Sequence, residues 1–318
     1  MNDLWPIVAS VLGVFLVIMT GAFSRRMGWL MPGADHSFAS LITHVLLPAY
    51  FASRILAGPP FESSMAAWQP PAFGFMMTVL GFGLAFLFAK QVGPKIGLRS
   101  DAQQRAFALC VGICNYGYIP LPLAESFYPG AVVPLILHNV GVDLALWSVG
   151  AAIISGGRGK AWYKALFTPP LIAVVIACCL KMLVDPTQIP NMLLFVFDTL
   201  GNCAIPLGLL LSGAIIMDFL AETAWTKSFA VPVIAILLRQ IVLPCLMIGT
   251  ALLFSVGTQM EEVVLLQAAM PAGVFPIVLV RLYDRDTTVA IQVIISTSLA
   301  GLVLIPAWLL IGQLIFAS

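Results

Sequence analysis

The stretch Cys114-Asn115-Tyr116-Gly117-Tyr118-Ile119-Pro120-Leu121-Pro122 lies in an apolar run long enough to cross a membrane, yet it cannot stay helical throughout. Proline removes a backbone donor and clashes with the preceding turn, so two prolines and a glycine within one span unwind it rather than bend it. A second stretch, Met270-Pro271-Ala272-Gly273-Val274-Phe275-Pro276, carries the same punctuation. Unwound backbone is tolerated in hydrocarbon only where it is buried in protein or faces a watery cavity. Two such breaks in corresponding places put four half-helix ends near the midplane, as in many secondary transporters. Free N–H groups at half-helix N-termini suit an anion, and free carbonyls suit a cation. Two independently kinked helices, packed for structure alone, are the plainer alternative, since membrane helices often carry proline.

Composition sets the frame for those breaks. The chain has 318 residues, 61% of them hydrophobic and only 9% charged, with a mean hydropathy of +1.03. A soluble domain runs near about 45–50% apolar and about 25% charged, so a water-soluble globule is excluded. At roughly 20 apolar residues per span, the length accommodates about ten membrane helices and little else. A net charge of +1 gives no reason to expect a nucleic-acid partner. The six cysteines, at 110, 114, 178, 179, 203 and 245, lie in apolar stretches without CxxC spacing, so they read as small core residues rather than as a zinc site or disulfide framework. The start, Met1-Asn2-Asp3-Leu4, lacks the basic region of a cleavable signal, and the first apolar run reads as a permanent span.

Hydropathy places spans at Trp5–Ser24, Phe38–Leu56, Pro71–Ala89, Phe107–Tyr128 and Val132–Ile154, and then at Pro169–Val184, Met192–Met217, Phe229–Phe254, Val263–Leu282 and Thr288–Phe316. The predicted fold is an all-α integral membrane protein of ten helices: residues 1–155 form one five-helix repeat, 156–166 a cytoplasmic linker and 167–318 a second, inverted repeat. Twelve of the 15 basic residues fall in alternate loops: Arg25, Arg26, Lys90, Lys95, Arg99, Arg105, Arg158, Lys160, Lys164, Lys227, Arg281 and Arg285. The other side holds only Arg54 and Lys181, and Arg239 lies within a span. By the positive-inside rule the rich side is cytoplasmic and both termini lie outside.

An odd number of spans per half reverses the second half in the membrane, so any echo between halves implies an inverted repeat. Pro6 echoes Pro170, Thr43-His44 with Pro48 echoes Gly201-Asn202 with Pro206, and Asn115-x-Gly117-x-x-Pro120 echoes Pro271-x-Gly273-x-x-Pro276. The proline offsets of 164, 158 and 156 residues are nearly constant. It is the common order of the echoes that carries the inference, because proline and glycine are frequent in this chain.

The segments Gly112–Leu123 (GICNYGYIPLPL), Gly201–Gly213 (GNCAIPLGLLLSG) and Ala268–Pro276 with the downstream Ser296-Thr297 resemble the auxin efflux carrier family, in its compact bacterial branch that includes malonate carriers. The resemblance covers essentially the whole chain. It implies two inverted five-helix repeats, a panel and a core subdomain, broken helices 4 and 9 that cross, and carriage of small organic anions across a bacterial inner membrane. That architecture is similar to bile-acid sodium symporters. Asn115 matches the family's crossover asparagine, and Pro120 and Pro276 match its crossover prolines. Plant members carry a long cytoplasmic insertion where this chain has the short loop at Arg158. By analogy with them the resemblance also points to a homodimer.

Candidate residues follow from the breaks and from polar groups at membrane depth. Asn115 can orient a carboxylate or complete a cation shell, or simply cap a helix end. With Tyr116, Gly117, Pro120, Pro271, Gly273 and Pro276 it forms the expected solute-binding set, to which Arg239, His44 and Asn202 are added. Arg239 either attracts the anion or serves as a fixed partner of Asp143 or Asp198. Asp143 lies one turn from Asn139 on the same helical face. An embedded carboxylate is expensive, so Asp143, with Asn139, Gln267, Gln292 and Thr297, forms the expected coupling-ion set for Na+ or H+. His44 and His138 can carry protons or merely pack. Arg54 and Glu125 fall near span ends, where long side chains reach for the interface.

No Walker motif is present, so ATP is not the direct driver. The leading expectation is a secondary transporter of a small carboxylate or dicarboxylate such as malonate, or of an auxin-like acid, without catalytic residues or cofactor. Its partners are the solute and the lipid bilayer. A passive anion channel is the alternative, predicting flux without solute saturation. An intramembrane aspartyl protease built on Asp143 and Asp198 is the other, although neither aspartate has a GxGD-type context.

Overall fold

The computed structural model describes residues 4–59, 64–156, 168–184, 188–222 and 229–316, and its regular elements there are all helices. They are α1 (Leu4–Arg26), α2 (Asp35–Leu41), α3 (Leu47–Ala57), α4 (Ser64–Gln91), α5 (Gly93–Ile96), α6 (Asp101–Gly112), α7 (Pro120–Phe127), α8 (Val132–Ala145), α9 (Ala151–Ser155), α10 (Pro169–Leu183), α11 (Asn191–Gly201), α12 (Ala204–Glu222), α13 (Ala230–Leu237), α14 (Leu243–Phe254), α15 (Thr258–Ala269), α16 (Pro276–Leu282) and α17 (Thr287–Phe316). Seven stretches among the described residues are long and apolar enough to cross a membrane: Trp5–Arg26, Pro32–Ala57, Ala67–Gln91, Pro129–Ser155, Asn191–Ala221, Ala230–Phe254 and Thr287–Phe316. The expected sixth span is the shorter apolar helix Pro169–Leu183. The fourth and ninth are each split into two short helices by the proline-glycine stretches, α6 with α7 and α15 with α16. The linker expected at 156–166 lies outside the described residues except for Gly156, as do Arg158, Lys160, Lys164 and Lys227.

Three long helices contain a π-helical turn, at Ile42–Leu46, Leu146–Gly150 and Leu238–Val242. Two of these turns end two residues before a proline, Pro48 and Pro244. A proline cannot donate to the carbonyl four residues back, and widening the turn redistributes the freed acceptors. For Pro244 that carbonyl is Gln240 O, and it accepts the Trp308 indole N–H at 2.7 Å.

The helices pack in two groups. In one, α1 lies along α12, and α3 along α10 and α11. In the other, α4 lies against α6 and α8, α14 against α15, and α17 against α6, α13 and α15. One buried cluster includes Tyr50, Leu123, Leu135, Leu209 and Leu265; another includes Phe82, Phe107, Ile113 and Ile294.

Polar caps sit at the helix ends. Ser100 and Gln103 form a reciprocal capping box at the start of α6. At the same end of the bundle Arg105 donates to Ile153 O at 2.6 Å and Arg285 to Ile154 O at 2.8 Å, which supplies donors to the last carbonyls of α9. Asp101 gathers Lys90 at 2.6 Å, Arg105 at 2.5 Å and Arg285 at 3.8 Å. At the opposite end of α4, Lys181 caps α3 through Ile55 O and Gly58 O.

Hydrogen bonds from Arg105 and Lys90 hold the Asp101 carboxyl at about 2, below its ordinary 3.8. A group whose pKa falls on folding adds stability that is present above its unfolded value and lost as pH falls through the folded one. Asp101→Asn is therefore expected to lower the melting temperature at pH 7, and the gap to the parent should close between about pH 4 and pH 2. Because the side chain is 49% exposed, the effect stays below about 1 kcal/mol. Melting curves of both proteins across that range check it, and a gap independent of pH would contradict the assignment.

Candidate functional site

The two interrupted helices meet. After α6 the chain turns extended at Ile113, with φ −119° and ψ 135°, and after α15 it does so at Met270, with φ −74° and ψ 140°. The extended pieces pair antiparallel at Cys114 and Ala272. Asn115 N donates to Pro271 O at 2.8 Å and Gly273 N to Ile113 O at 3.2 Å. Each break thus supplies the partner that the other lost, which is how unwound backbone survives inside an apolar bundle. Glycine is required at 273 by close approach: a Cβ there would stand 2.9 Å from Cys114 O. Both restarts begin on a proline, Pro120 for α7 and Pro276 for α16, where a missing N–H costs nothing.

Gln267, fully buried in the last turn of α15, ties the crossing together. Its Nε2 donates to Tyr116 O and to Asn139 Oδ1, both at 3.0 Å, and its Oε1 accepts from Cys114 Sγ at 3.0 Å. Thr297 Oγ1 accepts from Ala272 N at 3.1 Å. Arg239 is buried and donates to Met270 O at 3.2 Å and Gln267 O at 3.5 Å. Its charge thus sits on the C-terminal carbonyls of α15, where the helix dipole favours a cation. The pairing of Arg239 with Asp143 or Asp198 that the sequence left open is not found: Asp143 accepts from the Tyr116 hydroxyl at 2.6 Å, and Asp198 pairs with Arg54 at 2.8 Å.

The structure therefore brings together Asn115, Tyr116, Gly117, Pro120, Pro271, Gly273, Pro276 and Arg239 with Asn139, Asp143, Gln267 and Thr297. The Asn115 residue is buried, and its carboxamide makes no hydrogen bond to a described side chain or backbone group. Gln292 is buried on α17, five residues before Thr297. His44 and Asn202 are not part of this group. His44 is exposed and bonds Ser40 O of its own helix at 2.9 Å, while Asn202 accepts from Arg54 at 2.8 Å. His138 is buried with neither ring nitrogen hydrogen-bonded, beside Phe73.

Sequence reasoning missed two features. Gln240 is fully buried next to Arg239, and neither its amide nitrogen nor its amide oxygen has a partner. Arg54 and Glu125, expected to reach singly for the interface, are paired at 2.7 Å. The helical spacings Tyr50/Arg54 and Asp198/Asn202, each four apart, were the available signal. Of the cysteines, Cys110 and Cys114 are buried, whereas Cys179, Cys203 and Cys245 are exposed on the bundle's outside, so only part of the set is core.

Apolar helices of crossing length, with two broken members exchanging backbone hydrogen bonds, define a multi-pass membrane protein of the transport class. A family model described as Membrane transport protein matches residues 6–161 and 157–309, and the chain belongs to this family, the auxin efflux carriers. It is also similar to an uncharacterized transporter of Methanocaldococcus jannaschii, 22% identical over 306 residues, which cover 94% of this chain and 96% of the relative.

Proposed function

We propose that the protein is a secondary transporter of a small organic anion, a carboxylate or dicarboxylate such as malonate, that alternates access around the crossover. The observation carrying this reading is the paired backbone exchange at Cys114 and Ala272, beside which Asn115 keeps an unused carboxamide. An amide N–H pair presented beside the helix restarts suits a carboxylate. Arg239, fixed on the α15 carbonyls, adds positive potential without being neutralised by an acid among the described residues.

The chain is read here as ten spans in two inverted repeats of five. The seven long stretches, the shorter α10 and the two split helices support that count. In this reading Lys90, Arg105 and Arg285 lie at the cytoplasmic end and both termini lie outside, in a bacterial inner membrane. Asp143 is the coupling group: an embedded carboxylate with one described hydrogen-bond donor, Tyr116, must gain a proton or a cation to cross the bilayer as part of a moving body. Asn139, one turn before it on α8, completes the coupling set with Gln267, Gln292 and Thr297.

The test is uptake of labelled malonate by proteoliposomes under a sodium gradient or a pH gradient. Asn115→Ala is expected to cut uptake by at least about tenfold, the scale of one lost charge-assisted contact. Asp143→Asn is expected to abolish dependence on the gradient. Parental rates and gradient dependence in both variants would sink the assignment.

A further inference from the structure

A cavity of about 290 Å³ opens among α1, α3, α7 and the α11–α12 junction, and none of the residues that exchange the crossover hydrogen bonds lines it. Gly13 and Val14 of α1, Tyr50 and Arg54 of α3, Glu125 of α7 and Asn202 line it. In its lining one oxygen of Glu125 receives two donors, Arg54 Nε at 2.7 Å and the Tyr50 hydroxyl at 2.9 Å. Arg54 is itself held to its own wall: Nη1 donates to Asp198 at 2.8 Å, Nη2 to Asn202 Oδ1 at 2.8 Å, and its Cζ stacks 4.9 Å from the Tyr50 ring centroid. Asp198 is tied further by Ser53 at 3.2 Å. A guanidinium has five N–H groups, so two on Arg54 are without a described acceptor.

We infer that Arg54 and Tyr50 form a carboxylate-binding subsite that this state fills with the protein's own Glu125. Asp198, Asn202 and Ser53 keep the donors on the α3 and α11 side. Glu125 arrives from α7, an eight-residue half-helix that begins at the crossover. When α7 withdraws, Arg54 Nε and the Tyr50 hydroxyl lose their acceptor while Asp198 and Asn202 still hold the rest of the guanidinium, and a small carboxylate of the solute takes the vacated oxygen position. The exchange replaces one charge-assisted pair on Arg54 by another, while Glu125, already part-exposed at 36% of its side chain, is released to water. Glu125 thus acts as an internal competitor for the Arg54 and Tyr50 donors until cargo arrives. The cargo identity in this inference rests on the organic-anion reading proposed above.

Malonate titrated into purified full-length protein, with binding read from the rise in melting temperature, tests the subsite. Glu125→Gln is expected to lower the malonate Kd about fivefold, because the competitor loses its charge while keeping its shape. The double variant with Arg54→Gln is expected to lose that gain. If Arg54→Gln does not fold, Arg54→Lys in the Glu125→Gln background takes its place, and a smaller gain is expected because the planar fork is lost. An unchanged Kd in Glu125→Gln, or a gain that survives loss of the guanidinium, overturns the inference. Repeating the titration with Asn115→Ala separates the two readings. A gain that depends on Arg54, with malonate uptake absent in every variant including the parent, upholds the subsite and sinks the carrier; uptake without the gain does the reverse.

Discussion

Gln267→Leu is expected to lower stability by about 2–4 kcal/mol and to reduce malonate uptake by more than about tenfold. The side chain is fully buried, and all of its hydrogen-bonding groups are in use: both amide hydrogens on Tyr116 O and Asn139 Oδ1, and the oxygen on Cys114 Sγ. Leucine keeps the volume and leaves two acceptors without donors. Each orphaned buried acceptor costs about 1–3 kcal/mol in water-soluble proteins. Hydrogen bonds in bilayers average less, about 0.6 kcal/mol, because the loosened state also finds partners. Here Asn139 is buried and the Tyr116 carbonyl belongs to the fixed backbone of the crossing, so the larger figure governs. The loss of uptake has a separate origin: Tyr116 and Asn139 are joined through this one amide, and without it Asn115 and Asp143 no longer share a fixed frame. Gln267→Glu, which keeps an acceptor for Cys114 but even when protonated has one hydrogen for two acceptors, should also lose uptake. Thermal melting and uptake on the same preparations check both parts, and parental values for Gln267→Leu would show that the crossing is held by backbone alone.

The breaks were legible because proline and glycine act locally: Pro120, Pro271 and Pro276 end or start helices wherever the rest of the chain lies. The grouping of Asn139 and Asp143 was legible for the same reason, since four residues is one helical turn. What links distant segments was not. The Arg54 pair with Glu125 spans 71 residues and depends on how α3 meets α7. The sequence identified His44 and Asn202 as polar groups near prolines, but His44 turns outward and Asn202 joins the Arg54 network. Gln267 was read as a source of neutral oxygen, whereas its nitrogen does most of the tying. Arg239 at mid-span offered an anion partner or a buried pair, and its geometric partners are backbone carbonyls, acceptors that no residue pattern announces.

Gly141→Ala tests the frame from outside the crossing. A Cβ at Gly141 would stand 1.9 Å from Pro71 O and 2.7 Å from Phe75 N, so α4 and α8 touch backbone to backbone. Those atoms belong to a helix and cannot move aside as the tip of a flexible side chain can. The added methyl must push the helices apart along their shared length, which is expected to cost about 3 kcal/mol or more, at the upper end of overpacking. Gly83→Ala, on the same α4 but with open space around its Cβ, is the control. It removes a glycine from a helix interior and is expected to be neutral or to stabilise by up to about 1 kcal/mol. The opposite signs cannot come from helix propensity, which favours alanine at both sites. Gly141 lies two residues from both Asn139 and Asp143 and so on the opposite face of α8, and displacing α8 from α4 shifts both out of register with Gln267 and Tyr116. Gly141→Ala should therefore lose uptake along with stability, while Gly83→Ala keeps the parental rate. Unfolding in graded denaturing detergent, run beside uptake, reads both outcomes, and equal stability of the two variants would mean that α4 and α8 do not approach this closely.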